Sequence, residues 1–343
     1  MSDPKNILII RLSAIGDVVF ASPLIGALKR TYPNAKLSWL VEPAAAPLLK
    51  SHSDLDEVII WPKVDWKALW KKRRFIQLWR EFSSFKKFLK SKGYDLALDL
   101  QGLQKSALWA YLCGAPRRVG LGSKEGSHRL MTEVVVREGN DERISSEYLK
   151  MAQYLSLDCQ DFQMDIALPE DEDDYALTMR QAYGEYIVIC PFTTRPQKHW
   201  LDASWGELVE KLTEVFPQQR IVMLGGPLDH EASTNILKHA PGLVSMVGQC
   251  SLTQTAALIK HAKLLVGVDT GLTHMGIAFN RPTIALFGST CPYSDTTHDN
   301  AVVLYHKQAC SPCRRNPTCN GDFTCMKKIA VEEIMQTLSK VGL

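Results

Sequence analysis

Three short segments of the sequence combine residue types that could bind a phosphate or move a proton. The first, Arg11–Asp17, places Gly16 and Asp17 directly after a predicted strand over residues 7–11. Asp17 could cap the following helix from its first turn, or it could act as a general base toward a hydroxyl group. The segment by itself favours the helix cap.

The second segment, Pro191–Trp200, follows another predicted strand and carries hydroxyl groups and a lysine ahead of a helix. Thr193, Thr194 and Lys198 could hold a diphosphate through hydroxyl, backbone N–H and ammonium donors. A turn whose threonines satisfy the local backbone would explain the same residues equally well. Both interpretations therefore stay open.

The third segment, Leu265–Met275, is a buried strand that runs into Asp269, Thr270 and Gly271 and then directly into a helix. Backbone N–H groups at the start of that helix could bind an anion. Asp269 could also simply cap the helix, and His274, one turn later, is by default a structural histidine. Of the three segments, this one most strongly indicates a ligand site.

Four cysteines near the C-terminus follow the spacing C-x2-C-x5-C-x5-C. They are Cys310, Cys313, Cys319 and Cys325. Four thiolates can surround one tetrahedral ion, with zinc or iron as candidates, and would leave no open coordination position for catalysis. A structural metal and reduced free cysteines are about equally supported by this spacing.

A basic and aromatic segment, residues 63–92, contains eleven lysines or arginines against two acids. Its second half has the pattern of a helix with aromatic residues facing a core. For the first half we favour a role in binding an anionic ligand at a membrane surface. The candidate contacts are Lys71, Lys72, Arg73 and Arg74, with Lys124 and Arg129 from a later glycine-rich loop.

The elements around these segments alternate between strand and helix in both halves of the chain. Strands are predicted at 7–11, 36–41, 57–61 and 96–100, with one helix over 18–32. A second alternation, over 186–288, begins after the five acids Glu170–Asp174. Such alternation is typical of doubly wound α/β sheets.

The 343 residues are enough for about two domains. We therefore predict an α/β protein of two Rossmann-like, doubly wound domains, 1–170 and 171–327, facing across a cleft. An amphipathic helix over 328–343 is predicted to close the second domain. Ligands of such sheets bind at the carboxyl ends of the strands, where the three segments lie.

Composition and missing motifs exclude several classes of protein. The formal net charge of +3 gives no argument for nucleic-acid binding. No apolar run approaches the ~20 residues of a membrane span, and the run Ile7–Ile10 is too short for a signal peptide, so we expect a cytoplasmic protein. The sequence lacks the P-loop and the complete dinucleotide-binding fingerprint. Asp54-Leu55-Asp56 is interpreted as a cap rather than a metal-binding pair.

The combined segments resemble glycosyltransferase family 9, the ADP-heptose:lipopolysaccharide heptosyltransferases. The resemblance rests on ILIIRLSAIGDVVFASPLIGALK, DLQGLQKSAL, TTRPQKHW and VGVDTGLTHMGIAFNRPTIALFG. These stretches extend from residue 7 to about 290, and TTRPQKHW is most similar to the heptosyltransferase I branch. The resemblance implies a GT-B fold and an inverting transfer that needs no metal.

The resemblance also implies roles for individual residues. Asp17 matches the family's general base, and Ser13 and Gly16 of the same loop are assigned to the acceptor, which the N-terminal domain binds. The positions that match the ADP-sugar site of the C-terminal domain are Thr193, Thr194, Lys198, Asp269, Thr270, Gly271 and His274. Similar cysteine clusters occur in parts of the family, including iron-binding members.

The expected substrates are ADP-heptose and Kdo-lipid A or inner-core lipopolysaccharide, met at the cytoplasmic face of the inner membrane. Within the family, a heptosyltransferase II or a protein heptosyltransferase is the close alternative. Two other classes remain possible: a sugar-nucleotide epimerase on the same fold, and a non-enzymatic metal module carried by the cysteines.

Overall fold

The structure, a computed structural model, describes residues 3–123, 125–137, 142–313 and 316–343. The chain divides into two compact units, Met1–Asp141 with Ser145–Ala167, and Glu142–Ile144 with Leu168–Leu343. Each unit is built around a six-stranded sheet. In the described part of the chain, no helix is both long and apolar enough to cross a bilayer.

The first sheet is parallel throughout, with the order β3-β2-β1-β4-β5-β6. Its strands are β1 (Asn6–Ile10), β2 (Lys36–Val41), β3 (Glu57–Ile60), β4 (Leu96–Asp99), β5 (Arg117–Leu121) and β6 (Glu133–Val135). Its helices are α1 (Ile15–Ala21), α2 (Pro23–Thr31), α3 (Lys63–Lys71), α4 (Phe75–Ser91), α5 (Gln104–Leu112) and α6 (Ser146–Tyr154). The order is that of a doubly wound nucleotide-binding fold.

The central strand β1 shows why helices cover both faces of this sheet. Its residues Ile7–Ile10 are all fully buried. Ile7 and Ile9 pack in one apolar cluster with residues of α1, α2 and α6. Leu8 and Ile10 pack in another with residues of α4 and α5. Alternate residues of a strand point to opposite faces, so a strand that is apolar at every position needs cover on both sides.

The second sheet is also parallel, with the order β12-β11-β10-β7-β8-β9. Its strands are β7 (Tyr186–Cys190), β8 (Arg220–Met223), β9 (Val244–Ser245), β10 (Leu264–Val268), β11 (Thr283–Phe287) and β12 (Ala301–Tyr305). Its helices are α7 (Glu170–Tyr183), α8 (Asp202–Val215), α9 (His230–His239), α10 (Leu252–Lys260), α11 (Gly271–Ala278), α12 (Thr324–Lys327) and α13 (Val331–Thr337). If its strands are numbered 1 to 6 along the chain, the order is 6-5-4-1-2-3, which is the order of the first sheet read from the other end.

Two predicted helices differ in the structure. The single helix expected over 18–32 is two helices, because Pro23 begins α2, a position where proline's missing N–H costs nothing. The closing helix expected over 328–343 is shorter, with α13 over Val331–Thr337 followed by a 3-10 turn at Leu338–Val341. The change between the two units falls at Ala167 and Leu168, so α7 with its acidic run opens the second unit.

Candidate active site

In each unit the candidate residues follow the two strands at which the sheet reverses its direction of winding. Asp17 follows β1, and Gln101 follows the neighbouring strand β4. In the second unit Lys198 follows β7, and Asp269 follows the neighbouring strand β10. Ligands of open α/β sheets bind at such reversal points, so both groups occupy the expected place in their own sheet.

Asp17 is held at the first turn of α1 by two contacts to the same oxygen. Its Oδ2 accepts a hydrogen bond from the Ala14 N–H at 3.0 Å and lies 2.5 Å from Arg11 Nη2. The Asp17 side chain is nevertheless 42% exposed, whereas that of Arg11 is 8% exposed. Asp17 therefore caps the helix, as the local pattern predicts, and its carboxylate still reaches solvent.

Arg11 is a functional candidate that sequence reasoning missed. Its Nη1 donates to the Leu100 carbonyl at 3.0 Å, and the next residue, Leu12, donates its N–H to Gln101 Oε1 at 3.2 Å. These bonds tie the loop after β1 to the loop after β4. A buried arginine at the end of an apolar strand is the available signal, since arginine is rarely buried without a partner.

The other acceptor residues predicted near Asp17 have different surroundings. Ser13 and Gly16 lie in the same loop and first turn, and both are partly buried. Arg129 is exposed in the 3-10 turn Ser127–Leu130. Lys124 lies outside the described residues.

The basic and aromatic segment forms a helical hairpin of α3 and α4. Trp66 packs against Phe82, Phe85 and Trp109, with ring centroids 5.7–5.8 Å apart. This confirms a core-facing side for α4. We call residues 70–79, where the two helices meet, the hairpin tip; within it Lys71–Arg74 are all exposed.

The hairpin tip exposes large apolar side chains as well as cations. Trp70 is 64% exposed, Ile76 76% and Trp79 69%, and Phe75 is about half exposed. Trp70 and Phe75 contact each other edge to face at 5.2 Å between centroids. Contiguous exposed apolar groups of this kind mark interaction surfaces.

In the second unit, Asp269 gathers three side chains from different parts of the chain. Lys198 Nζ lies 2.6 Å from Asp269 Oδ2, and His274 Nε2 lies 3.3 Å from Oδ1. The Thr290 hydroxyl donates to Oδ2. Asp269 itself is 8% exposed, so this is a largely buried cluster of one anion and its donors.

The charge of Asp269 is strongly favoured in these surroundings. Burial acts to raise the pKa of the Asp269 carboxyl, but the hydrogen bond and charge of His274 and the charge of Lys198 outweigh it and hold that pKa well below its usual value. Asp269 is therefore a permanent anion that positions Lys198, and it is not suited to accept a proton during a reaction.

His274 has a polar partner at each of its two ring nitrogens. A carboxylate only accepts hydrogen bonds, so Nε2 donates to Asp269. Nδ1 lies 2.7 Å from the Tyr293 hydroxyl oxygen. Burial raises the pKa of Tyr293 well above its usual value, which keeps this hydroxyl protonated. Tyr293 and Thr290 lie in the loop after β11, and sequence reasoning missed both.

The remaining donor-side candidates are close to Asp269 along the chain or in space. The Thr193 hydroxyl donates to the Asp269 carbonyl at 3.3 Å. Thr270 is the residue before α11 and Gly271 is its first residue, so their N–H groups lie at the positive end of the helix. Thr194 is exposed.

Gly267, in strand β10 two residues before Asp269, allows α11 to approach β10 closely. A Cβ atom at this position would lie 2.2 Å from Thr273 Oγ1 and 3.0 Å from Cys190 Cβ. Thr273 Oγ1 in turn donates to the Val268 carbonyl at 2.7 Å. A larger residue at 267 would therefore displace the start of α11.

The structure does not support a metal site at the four C-terminal cysteines. All four are free thiols and line one pocket of about 330 Å³. Within residues 3–123, 125–137, 142–313 and 316–343, no group of three or more His, Cys, Asp or Glu side chains is arranged to hold a metal ion. Burial raises the pKa of the Cys313 thiol, and the neighbouring Cys310 and Cys319 raise it further.

Comparison with known proteins gives consistent matches over most of the chain. The model of glycosyltransferase family 9 (heptosyltransferase) matches residues 82–323. Lipopolysaccharide heptosyltransferase 1 of Pseudomonas aeruginosa is 29% identical over 92% of this chain and 87% of its own length. Lipopolysaccharide heptosyltransferase 2 of Escherichia coli is 28% identical over 98% of this chain and 99% of its own.

A solved structure has the same fold. The E. coli heptosyltransferase WaaC with ADP-2-deoxy-2-fluoro heptose superimposes with a TM-score of 0.75 at 24% identity, covering 98% of this chain and 99% of that one. The predicted GT-B fold of two Rossmann-like units is therefore confirmed. The family match begins after Asp17, so the role of that residue depends on the geometry of its own loop.

Proposed function

Because the chain belongs to glycosyltransferase family 9, we propose that it transfers heptose from ADP-L-glycero-D-manno-heptose to the Kdo region of the lipopolysaccharide inner core. The transfer is inverting and needs no metal. The observation that carries the proposal is the buried cluster of Lys198, Asp269 and His274 beside the N-terminus of α11. Relatives named lipopolysaccharide heptosyltransferase over nearly the whole chain support heptose as the sugar and lipopolysaccharide as the acceptor.

The donor cluster has the chemistry that a departing diphosphate needs. When the bond between the anomeric carbon and ADP breaks, negative charge develops on the diphosphate oxygen. A cation and aligned N–H groups can stabilise that charge without reorganisation. Lys198 supplies the cation, and Asp269 holds its ammonium group in place. The N–H groups of Thr270 and Gly271 supply the positive end of α11, and Thr193 and Thr194 add hydroxyl donors.

Asp17 is the group we assign as general base. The acceptor hydroxyl oxygen attacks the anomeric carbon on the face opposite ADP, its proton passes to Asp17, and ADP leaves with the bonding electron pair. One base on the acceptor side is enough for an inverting transfer. Arg11 and Ala14 both contact Oδ2, so we assign proton acceptance to Oδ1. Ser13 and Gly16 border the position of the acceptor.

The hairpin tip is the part of the chain that we assign to the cytoplasmic face of the inner membrane. Exposed Trp70, Ile76 and Trp79 beside Lys71–Arg74 combine the apolar and cationic groups that bind an anionic lipid surface. An acceptor anchored in that surface would meet the same cations. Arg129 and Lys124 are assigned to further acceptor contacts.

The test is ADP release from ADP-heptose with and without Kdo-lipid A, for the wild type, Asp17→Asn and the control Asp3→Asn. We expect ADP release that depends on the acceptor, unchanged in Asp3→Asn and lower by about two to four orders of magnitude in Asp17→Asn. Acceptor-independent turnover would instead indicate an epimerase or hydrolase. Activity only on a heptosylated core, or only on a protein, would indicate heptosyltransferase II or a protein heptosyltransferase.

A further inference from the structure

Two lysines from different helices converge on one carboxylate in the first unit. Lys63 Nζ lies 2.9 Å from Glu42 Oε1, and Lys105 Nζ lies 3.3 Å from the same oxygen. Both ammonium groups also lie over the ring of Trp61, at 5.6 and 5.9 Å from its centroid. A carboxylate and an aromatic ring thus hold two cations close together.

This lysine pair lies beside the carboxyl ends of strands in the first sheet, and Asp17 lies in the helix that follows β1 of the same sheet. Glu42 directly follows β2 and Trp61 directly follows β3, while Lys63 begins α3 and Lys105 is the second residue of α5. The Glu42 N–H donates to the Leu12 carbonyl at 2.9 Å. Glu42 is therefore joined by one backbone hydrogen bond to the loop that presents Asp17.

Glu42, Lys63 and Lys105 together carry unequal numbers of positive and negative charges, and they differ in their exposure to solvent. One carboxylate faces two ammonium groups, so the group has a net positive charge. The Glu42 side chain is 16% exposed, whereas those of Lys63 and Lys105 are 44% and 34% exposed. An ammonium group has three donors, and each lysine directs only one of them at Glu42 Oε1. The spare donors and the excess charge therefore face solvent.

We propose that Lys63 and Lys105 form a subsite for a carboxylate of the acceptor sugar, next to the hydroxyl that Asp17 deprotonates. Glu42 and Trp61 are positioning residues that hold the two ammonium groups at one spacing. The subsite is formed by residues outside the hairpin tip. The inference rests on the proposed function, because it takes the acceptor to be an acidic sugar.

The experiment compares Lys63→Ala, Lys105→Ala and the double variant with Lys50→Ala, which removes an exposed lysine of the same unit. Charge-assisted hydrogen bonds contribute enough for each single variant to raise the KM for Kdo-lipid A about 10-fold or more. The KM for ADP-heptose and the kcat should change less than threefold. Lys105→Arg, which keeps the charge, should restore most of the affinity for the acceptor.

Two modified acceptors identify the group that is bound. The Kdo methyl ester lacks the charged carboxylate. Wild type should therefore bind the ester more weakly than the free acid, whereas the lysine variants should bind the ester and the free acid almost equally. On dephosphorylated Kdo-lipid A, the variants should keep their full defect. The proposal is overturned if the lysine variants raise the KM equally for the ester and the free acid. It is also overturned if their effect on KM is absent with the dephosphorylated acceptor. Inactive wild type would overturn the proposed function instead, and thermal melts with ADP binding report whether each variant is folded.

Discussion

Arg11 Nη2 and Asp17 Oδ2 are 2.5 Å apart, and the arginine is buried while the carboxylate is open to solvent. The cation is fixed on its other side by the Leu100 carbonyl. A base that must receive a proton from a large substrate needs one exposed oxygen and a fixed orientation. Arg11 supplies the fixed orientation, because it holds Asp17 Oδ2 from a buried position that is itself fixed by the Leu100 carbonyl.

The first prediction concerns Arg11. Arg11→Met should lower kcat by at least 10-fold and change the KM for ADP-heptose little, because the carboxylate loses its orientation while the donor cluster is intact. Arg11→Lys keeps a cation but not the two-nitrogen geometry, and should recover part of kcat. Steady-state kinetics with both substrates measure these effects. If both substitutions leave kcat unchanged, Asp17 does not depend on Arg11.

The second prediction concerns pH and Asp269. His274 and Lys198 hold the pKa of Asp269 well below its usual value, although burial opposes them. A depressed pKa in the folded state contributes stability above the unfolded-state pKa of about 3.9, and that stability is lost as pH falls through the folded value. Asp269→Asn should therefore lower Tm at pH 7, and its difference from wild type should narrow as pH falls below about 4.

Thermal denaturation between pH 3 and pH 7 measures this difference, with Asp3→Asn as the control because Asp3 is exposed. Asp3→Asn should follow wild type throughout the range. A gap between Asp269→Asn and wild type that stays constant over the whole range would show that the ion pair with Lys198 does not stabilise the fold.

The third prediction concerns the hairpin tip. The protein should bind vesicles that contain phosphatidylglycerol more tightly than vesicles of phosphatidylcholine alone, and added salt should weaken the binding. Each neutralised cation among Lys71–Arg74 should cost about fivefold in affinity, from about 1 kcal/mol per basic residue. Changing Trp70, Ile76 and Trp79 to serine should weaken binding further, since these side chains supply apolar area.

Vesicle sedimentation and the shift of tryptophan emission provide the measurements. Leu228→Ser is the matched control, because Leu228 is an apolar residue that is 98% exposed in the other unit. Equal loss of binding in Leu228→Ser and in the tip variants would contradict a specific role for the tip.

The fourth prediction concerns metals. A chelator should leave ADP release unchanged, because the proposed function assigns the positive charge at the diphosphate to Lys198 and the N-terminus of α11. Elemental analysis of the purified protein should give less than one zinc or iron per chain, since no three His, Cys, Asp or Glu side chains of the described residues are arranged to hold an ion. One tightly held ion per chain would instead support the four-cysteine site, which the spacing favours as much as free thiols.

The fold could be predicted largely from the sequence because its central strands are apolar at every position. Strand β10, buried throughout, and strand β1, buried from Ile7 to Ile10, stand out as short apolar runs between helical patterns. Four strands were missed: β5, β6, β9 and β12. β6 has three residues and β9 two, and such short elements carry too little periodicity. The break between α1 and α2 falls at Pro23. Proline is tolerated in the first turn of a helix, so the sequence around it still has the pattern of one continuous helix.

For the site, residue types could be predicted and contacts could not. Lys198 and Asp269 are 71 positions apart in sequence, and nothing in either segment indicates that they form an ion pair. Thr290 and Tyr293 were missed because a hydroxyl in a loop is common and only its distance to Asp269 or His274 distinguishes it. The lysine pair on Glu42 was missed for the same reason, since its members come from the three separate segments that follow β2, β3 and β4.

The two sheets share one strand order, and each forms its own polar cluster from the connections after its first and fourth strands. The proposed function assigns the first cluster to the acceptor and the second to the nucleotide sugar. On that assignment, substitutions in the connections after β1 and β4 change the choice of acceptor without changing donor binding. Acceptor preference is then free to diversify over evolutionary time while the donor stays the same, because separate stretches of the chain encode the two selectivities.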